Sequence, residues 1–224
     1  MTAGSGMTKG GPVADAANTA RKNALQFVLT VGVLSFFADF TYEGSRSMVG
    51  PYLALLGAGA AGISIVTGFG EFVGYGLRLF SGPLADKTGK FWPITIAGYV
   101  VQMSSVPVLA LTRSWKIAAL FVVLERVGKA IRNPPRDVML SHAGKQIGRG
   151  AFGVHEAFDQ LGALIGPLLV AFIIAGHGSY QFAFGLLLIP GLACIGIFSS
   201  HVGGIQSLKT WRSTFPPSTQ RGFR

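Results

Sequence analysis

Eight ionisable residues lie well inside long apolar stretches of this 224-residue chain: the acids Asp39, Glu43, Glu71 and Glu125, and the bases Arg46, Arg78, Arg126 and Lys129. A charged side chain at the centre of a membrane helix costs about 2.5–3.5 kcal/mol on insertion scales. Eight such groups are tolerated only where they face one another or a water-filled cavity, and four acids against four bases allow them to pair. A partly dry cavity favours the protonated form of a carboxylate, and a nearby Arg favours the charged form. An acid whose basic partner comes and goes with conformation is therefore a proton-coupling device. Asp39 and Glu43 beside Arg46 are the first candidates by position, with Glu71 and Glu125 next. The alternative reading of each group by itself is a structural ion pair that glues helices together.

Helical spacing gathers these groups. Asp39, Glu43 and Arg46 stand at i, i+4 and i+7, on one face of a first helix. Glu71 and Arg78 are seven apart on a second. Glu125, Lys129, Arg132 and Arg136 form a single charged stripe, and His155, Asp159, Gly162 and Gly166 share a face further on.

The elements that position them are apolar spans. Half of the chain is hydrophobic, 12% is charged and the mean hydropathy is +0.49. An ordinary globular domain carries about 25% charged residues, so too few polar side chains exist to cover a water-exposed surface. Six segments reach the roughly 20 residues that cross about 30 Å of hydrocarbon: Ala24–Leu56, Ala61–Ser81, Trp92–Leu111, Trp115–Leu140, Ala151–Gly176 and Tyr180–His201. Period-two alternation is lacking, so an all-α membrane protein of six transmembrane helices is expected over residues 24–201. Residues 1–23 read as a disordered cytoplasmic head and 202–224 as a basic cytoplasmic tail.

Lys and Arg set the orientation. One side of the membrane receives Lys9, Arg21, Lys22, Lys87, Lys90, Arg132, Arg136, Lys145, Arg149, Lys209, Arg212, Arg221 and Arg224; the other receives Arg113 and Lys116. Both termini are expected in the cytoplasm, with a bacterial inner membrane as the site. The net charge of +10 is read against that membrane and its lipid, and no nucleic-acid partner is expected.

Other chemistry finds no support. His142, His155, His177 and His201 have no metal-ligand spacing, and Cys194 is a single cysteine. A phosphate-binding G-x-x-x-x-G-K-[ST] stretch is absent, and no nucleophile–base pair can be named. No cofactor, no metal and no enzymatic activity are expected.

Gly82-Pro83-Leu84-Ala85-Asp86-Lys87-Thr88-Gly89-Lys90, between the second and third spans, resembles the signature loop of the major facilitator superfamily, with Phe91 where a last basic residue is usual. Glu125-Arg126-Val127-Gly128 is similar to the family's R-x-x-x-G region, although the Gly follows two residues after the Arg. Gly162-x-x-x-Gly166-Pro167 resembles the fifth-helix motif of family exporters, with Val170-Ala171 in place of its trailing Gly pair. Gly128–Asp137 resembles the end of the fourth helix in a bacterial subset. The resemblance covers about Ala24–His201.

It implies a secondary transporter moving a small molecule by alternating access, with a proton gradient as the driving force. It also implies a cytoplasmic gate of Gly82, Asp86, Gly89, Lys90 and Asp137, and a fifth-helix motif of Asp159, Gly162, Gly166 and Pro167. The family has twelve helices in two six-helix halves. One half is expected here: a fragment, a frameshifted product, or a chain that pairs with a second one supplying the other six. The alternative function is a non-transporting membrane scaffold or assembly partner.

Overall fold

The computed structural model describes residues 12–148 and 150–204. They form seven helices, α1 (Pro12–Leu55), α2 (Ala60–Thr88), α3 (Phe91–Leu109), α4 (Trp115–Ile147), α5 (Gly150–His177), α6 (Tyr180–Leu186) and α7 (Leu188–Gly204), with no strand among the described residues. Pro12 opens α1, where its missing N–H costs nothing. Residues 12–23, read from composition as part of a disordered head, are thus helical; residues 1–11 and 205–224 lie outside the described residues.

Glycines and prolines place the breaks. Gly89 takes φ 62°, a left-handed conformation, and its N–H closes α2 on the Ala85 carbonyl at 2.8 Å. The stretch expected as one sixth span is interrupted at Leu187. Pro190 has no N–H to return to the Leu186 carbonyl, so the chain restarts as α7. Pro134 inside α4 likewise frees the carbonyl of Ala130. The Ser81 hydroxyl of α2 donates to that oxygen at 2.9 Å, which satisfies it inside the bundle.

Among the described residues, five stretches are long and apolar enough to cross a membrane: Asn18–Leu55, Ala60–Thr88, Phe91–Leu109, Gly150–Gly176 and Tyr180–Ile197, the last bridging α6 and α7. The 33-residue α4 has the length but carries Glu125, Arg126, Lys129, Arg132 and Arg136. Where the bundle ends, α2 and α5 present apolar side chains outward, such as Phe72 and Phe172.

Packing falls into pairs. α1 lies chiefly against α5, while α3 and α2 both lie against α4; α1 meets α4 between them. Two glycine seams allow the closest approaches. A Cβ at Gly162 or Gly166 of α5 would collide with the backbone of Phe36 and Phe40 in α1. A Cβ at Gly98 or Gly128 would do the same between α3 and α4. At one end of the bundle Tyr52, fully buried on α1, donates to the Leu109 carbonyl at 2.7 Å and packs on Phe184 of α6.

These contacts set two expectations for thermal or denaturant unfolding in detergent. Gly162→Ala and Gly128→Ala should each lower stability by about 1–3 kcal/mol through overpacking, while Gly68→Ala, which meets nothing within 4 Å, should leave it unchanged. Ser81→Ala should cost about 1–3 kcal/mol by leaving the Ala130 carbonyl buried and unpartnered.

Candidate functional site

Asp39 is the centre of the ionic interior. The α4 stripe delivers two cations to one of its oxygens, Arg132 Nη2 at 2.9 Å and Lys129 Nζ at 3.0 Å. Arg132 has no exposed surface, and its guanidinium stacks 4.7 Å from the ring centroid of Tyr99 on α3. One turn along α1, Glu43 takes Lys129 at 3.8 Å and Arg46 at 3.5 Å. Lys129 also lies 3.6 Å over the Tyr42 ring.

Arg46 carries the chain of pairs to α2, where it meets Glu71 at 3.5 Å. Glu71 accepts from a second guanidinium, that of the buried Arg126 on α4, which also donates to the Tyr42 hydroxyl at 2.9 Å. Gly70 makes the room for Arg126, since a Cβ there would stand 2.6 Å from its Cδ. Towards the other end of α1, Arg136 of α4 donates to the Ser35 hydroxyl at 3.0 Å and approaches Asp159 of α5 at 3.8 Å. Ser35 in turn bonds Nε2 of the buried His155 at 2.8 Å, and Asp159 faces Asp39. Four helices are thereby joined by alternating charges.

The structure thus brings together Asp39, Glu43, Arg46, Glu71, Arg126, Lys129 and Asp159. Glu125 is buried, with 1% exposed, beside the Ser45 hydroxyl, and makes no ion pair among the described residues. Arg78 stays on its own helix with its guanidinium 5.0 Å from the Tyr75 ring centroid. Asp86 and Lys90 are exposed at the α2–α3 turn, and Gly82 borders Pro134 of α4. Asp137 pairs with its neighbour Arg136 at 3.0 Å, so no ion pair among the described residues ties it to Asp86 or Lys90. Gly162 and Gly166 belong to the α1–α5 contact, and Pro167 lies inside α5.

Arg132 and Arg136, counted in the sequence as cations of a cytoplasmic connection, are buried within α4 and paired. Their heptad-like spacing from Glu125 and Lys129 was the signal. Ser35, Tyr42 and Tyr99 had no such signal, because their roles depend on which helix lies opposite.

A cavity of about 480 Å³ opens where α1, α2 and α4 meet, lined by Arg46, Ser47, Val49, Gly50, Pro51, Thr67, Gly68, Glu71 and Arg126. Its volume lies within the roughly 300–1,000 Å³ of small-molecule sites. Pro51 cannot donate to the Ser47 carbonyl, so one helical bond is missing from the α1 wall of the cavity.

A family model described as Major Facilitator Superfamily matches residues 30–221. The chain belongs to the major facilitator superfamily. With its apolar helices, that makes it an integral, multi-pass membrane protein. It is 49% identical over 177 residues to an uncharacterised protein of Mycobacterium tuberculosis, covering 78% of this chain and 43% of that one. An uncharacterised MFS-type transporter of Methanocaldococcus jannaschii is 36% identical over 138 residues, 59% of this chain and 34% of the relative. The multidrug resistance protein MdtH of Klebsiella pneumoniae is 26% identical over 162 residues, 72% and 37% respectively. The chain spans less than half the length of the relatives it matches.

Removing Asp39 should leave Arg132 and Lys129 buried without their shared carboxylate. Asp39→Asn is expected to cost about 3–5 kcal/mol of unfolding stability. Glu43→Gln, at a quarter-exposed side chain, should cost roughly 1 kcal/mol or less. Chemical denaturation of the purified chain compares the two.

Proposed function

We propose that the chain forms the N-terminal six-helix half of a secondary transporter, which moves a small amphiphilic molecule by alternating access with proton coupling through Asp39 and Glu43. The observation that carries this reading is the run of charge pairs across α1, α2, α4 and α5, opening on the cavity beside Glu71 and Arg126. Purely structural glue would not require so many costly groups in the bundle interior. The names of the Methanocaldococcus and Klebsiella relatives, an MFS-type transporter and a multidrug resistance protein, point the same way.

In this reading α4 is the remaining span. Its charges are accommodated because most of them turn toward α1, α2 and α5 rather than toward acyl chains. A second chain, or a second half, covers the polar side. Both termini face the cytoplasm across a bacterial inner membrane. Protonation of a carboxylate releases its Lys or Arg partner, and that partner's search for a new carboxylate rearranges the helices.

A membrane scaffold is the second reading, in which the charge pairs are glue between helices, as Arg132 and Lys129 on the buried Asp39 are. Uptake of a fluorescent amphiphilic dye into membrane vesicles that carry the chain in its native assembly discriminates the two. Flux should follow an imposed proton gradient, and Glu43→Gln should abolish the dependence on that gradient while the protein still folds. Gradient-driven flux unchanged in both Asp39→Asn and Glu43→Gln dismisses the coupling assignment. A chain that stays bound to its membrane partner and tolerates loss of Glu71 and Glu125 supports the scaffold.

A further inference from the structure

We infer that the cavity between α1, α2 and α4 binds a small organic carboxylate on Arg46 and Arg126, beside Glu71. The inference rests on the transporter reading and names the substrate class of its cavity.

Glu71 already occupies the seat. Its Oε1 accepts from Arg126 and lies 3.5 Å from Arg46 Nη2, so one carboxylate bridges guanidiniums from two different helices at the cavity wall. Planar guanidiniums recognise carboxylates through paired N–H donors. A ligand carboxylate is chemically the same group and can fill the same place.

The rest of the lining leaves little alternative. The Ser47 hydroxyl donates to the Gly44 carbonyl at 2.8 Å, and the Thr67 hydroxyl to the Ile63 carbonyl at 2.9 Å. The two guanidiniums are therefore the side-chain donors left for a ligand. A cationic ligand would meet two positive charges and compete with both for one Glu71. An anion meets both positive charges and competes with Glu71 alone. Val49 and Pro51 supply the apolar wall for the ligand's body.

The charges at the wall agree. Arg46 and Arg126 carry two positive charges against the one carboxylate of Glu71, and a ligand carboxylate completes the second pair. The other ionisable groups facing this corner are Tyr42 and Glu43 of α1, Glu125 and Lys129 of α4, and Arg78 further along α2. Glu43 is engaged by Lys129 and Arg46, which leaves Glu71 as the carboxylate at the cavity wall.

The test is calorimetric titration of the full chain in detergent with benzoate, and with benzylamine and benzyl alcohol as cationic and neutral counterparts. Benzoate should bind, and benzylamine should not. Glu71→Gln, which removes the competing carboxylate, should bind benzoate more tightly. Arg46→Gln, at a half-exposed side chain whose loss leaves the buried pairs intact, should weaken binding roughly tenfold. Benzylamine binding as well as benzoate, no binding of benzoate, or an unchanged affinity in Arg46→Gln would overturn the inference. Proton-driven flux without benzoate binding would leave the transporter reading standing and remove this one; benzoate binding without flux would do the reverse.

Discussion

The whole interior depends on the stripping of water from Asp39. A carboxylate enclosed by helices needs compensating positive charge at bonding distance, and α4 supplies it twice, through Lys129 and Arg132. That requirement orients α4, because residues three apart must both turn toward α1. Once α4 is so turned, Arg126 and Arg136 are carried to Glu71 and Asp159 by the helical repeat alone. The same rotation presents Gly128 to α3, where only a hydrogen in place of a side chain allows the two backbones to meet.

How much of this could be read beforehand follows from where each signal resides. The apolar spans and the charged stripe are properties of one helix at a time, and both were visible in hydropathy and spacing. The stripe was even visible in full, from Glu125 to Arg136, although its lower half was assigned to a connection because Lys and Arg near a helix end ordinarily mark the membrane surface. Burial of Arg132 is decided by Asp39 and Tyr99 on two other helices, which spacing within α4 does not contain. Glu125 shows the opposite failure: it shares the stripe, yet the helix opposite it presents Ser45 and not a cation.

Small residues divide in the same way. The pair Gly162 and Gly166 was recognisable by its four-residue interval, and it sits against α1. In α2, by contrast, four glycines looked alike, but only Gly70 and Gly74 lie against Arg126, while Gly68 and Gly76 meet nothing within 4 Å. Proline effects were partly legible. A freed carbonyl could be expected four residues before each one; that Ser81 of another helix would answer the one left by Pro134 could not.

The closest backbone contacts run within the couples α1–α5 and α3–α4, whereas α1 meets α4 through ions and hydroxyls at mid-length and through buried apolar side chains on either side, Val28 with Met139 in one cluster and Leu53 with Val122 in another. Dispersion contacts between backbones are indifferent to acid and electrolyte; charge pairs are not. Acid consequently acts on the middle of the α1–α4 seam, where the carboxylates and guanidiniums lie, while the apolar clusters at its two ends keep the couples joined.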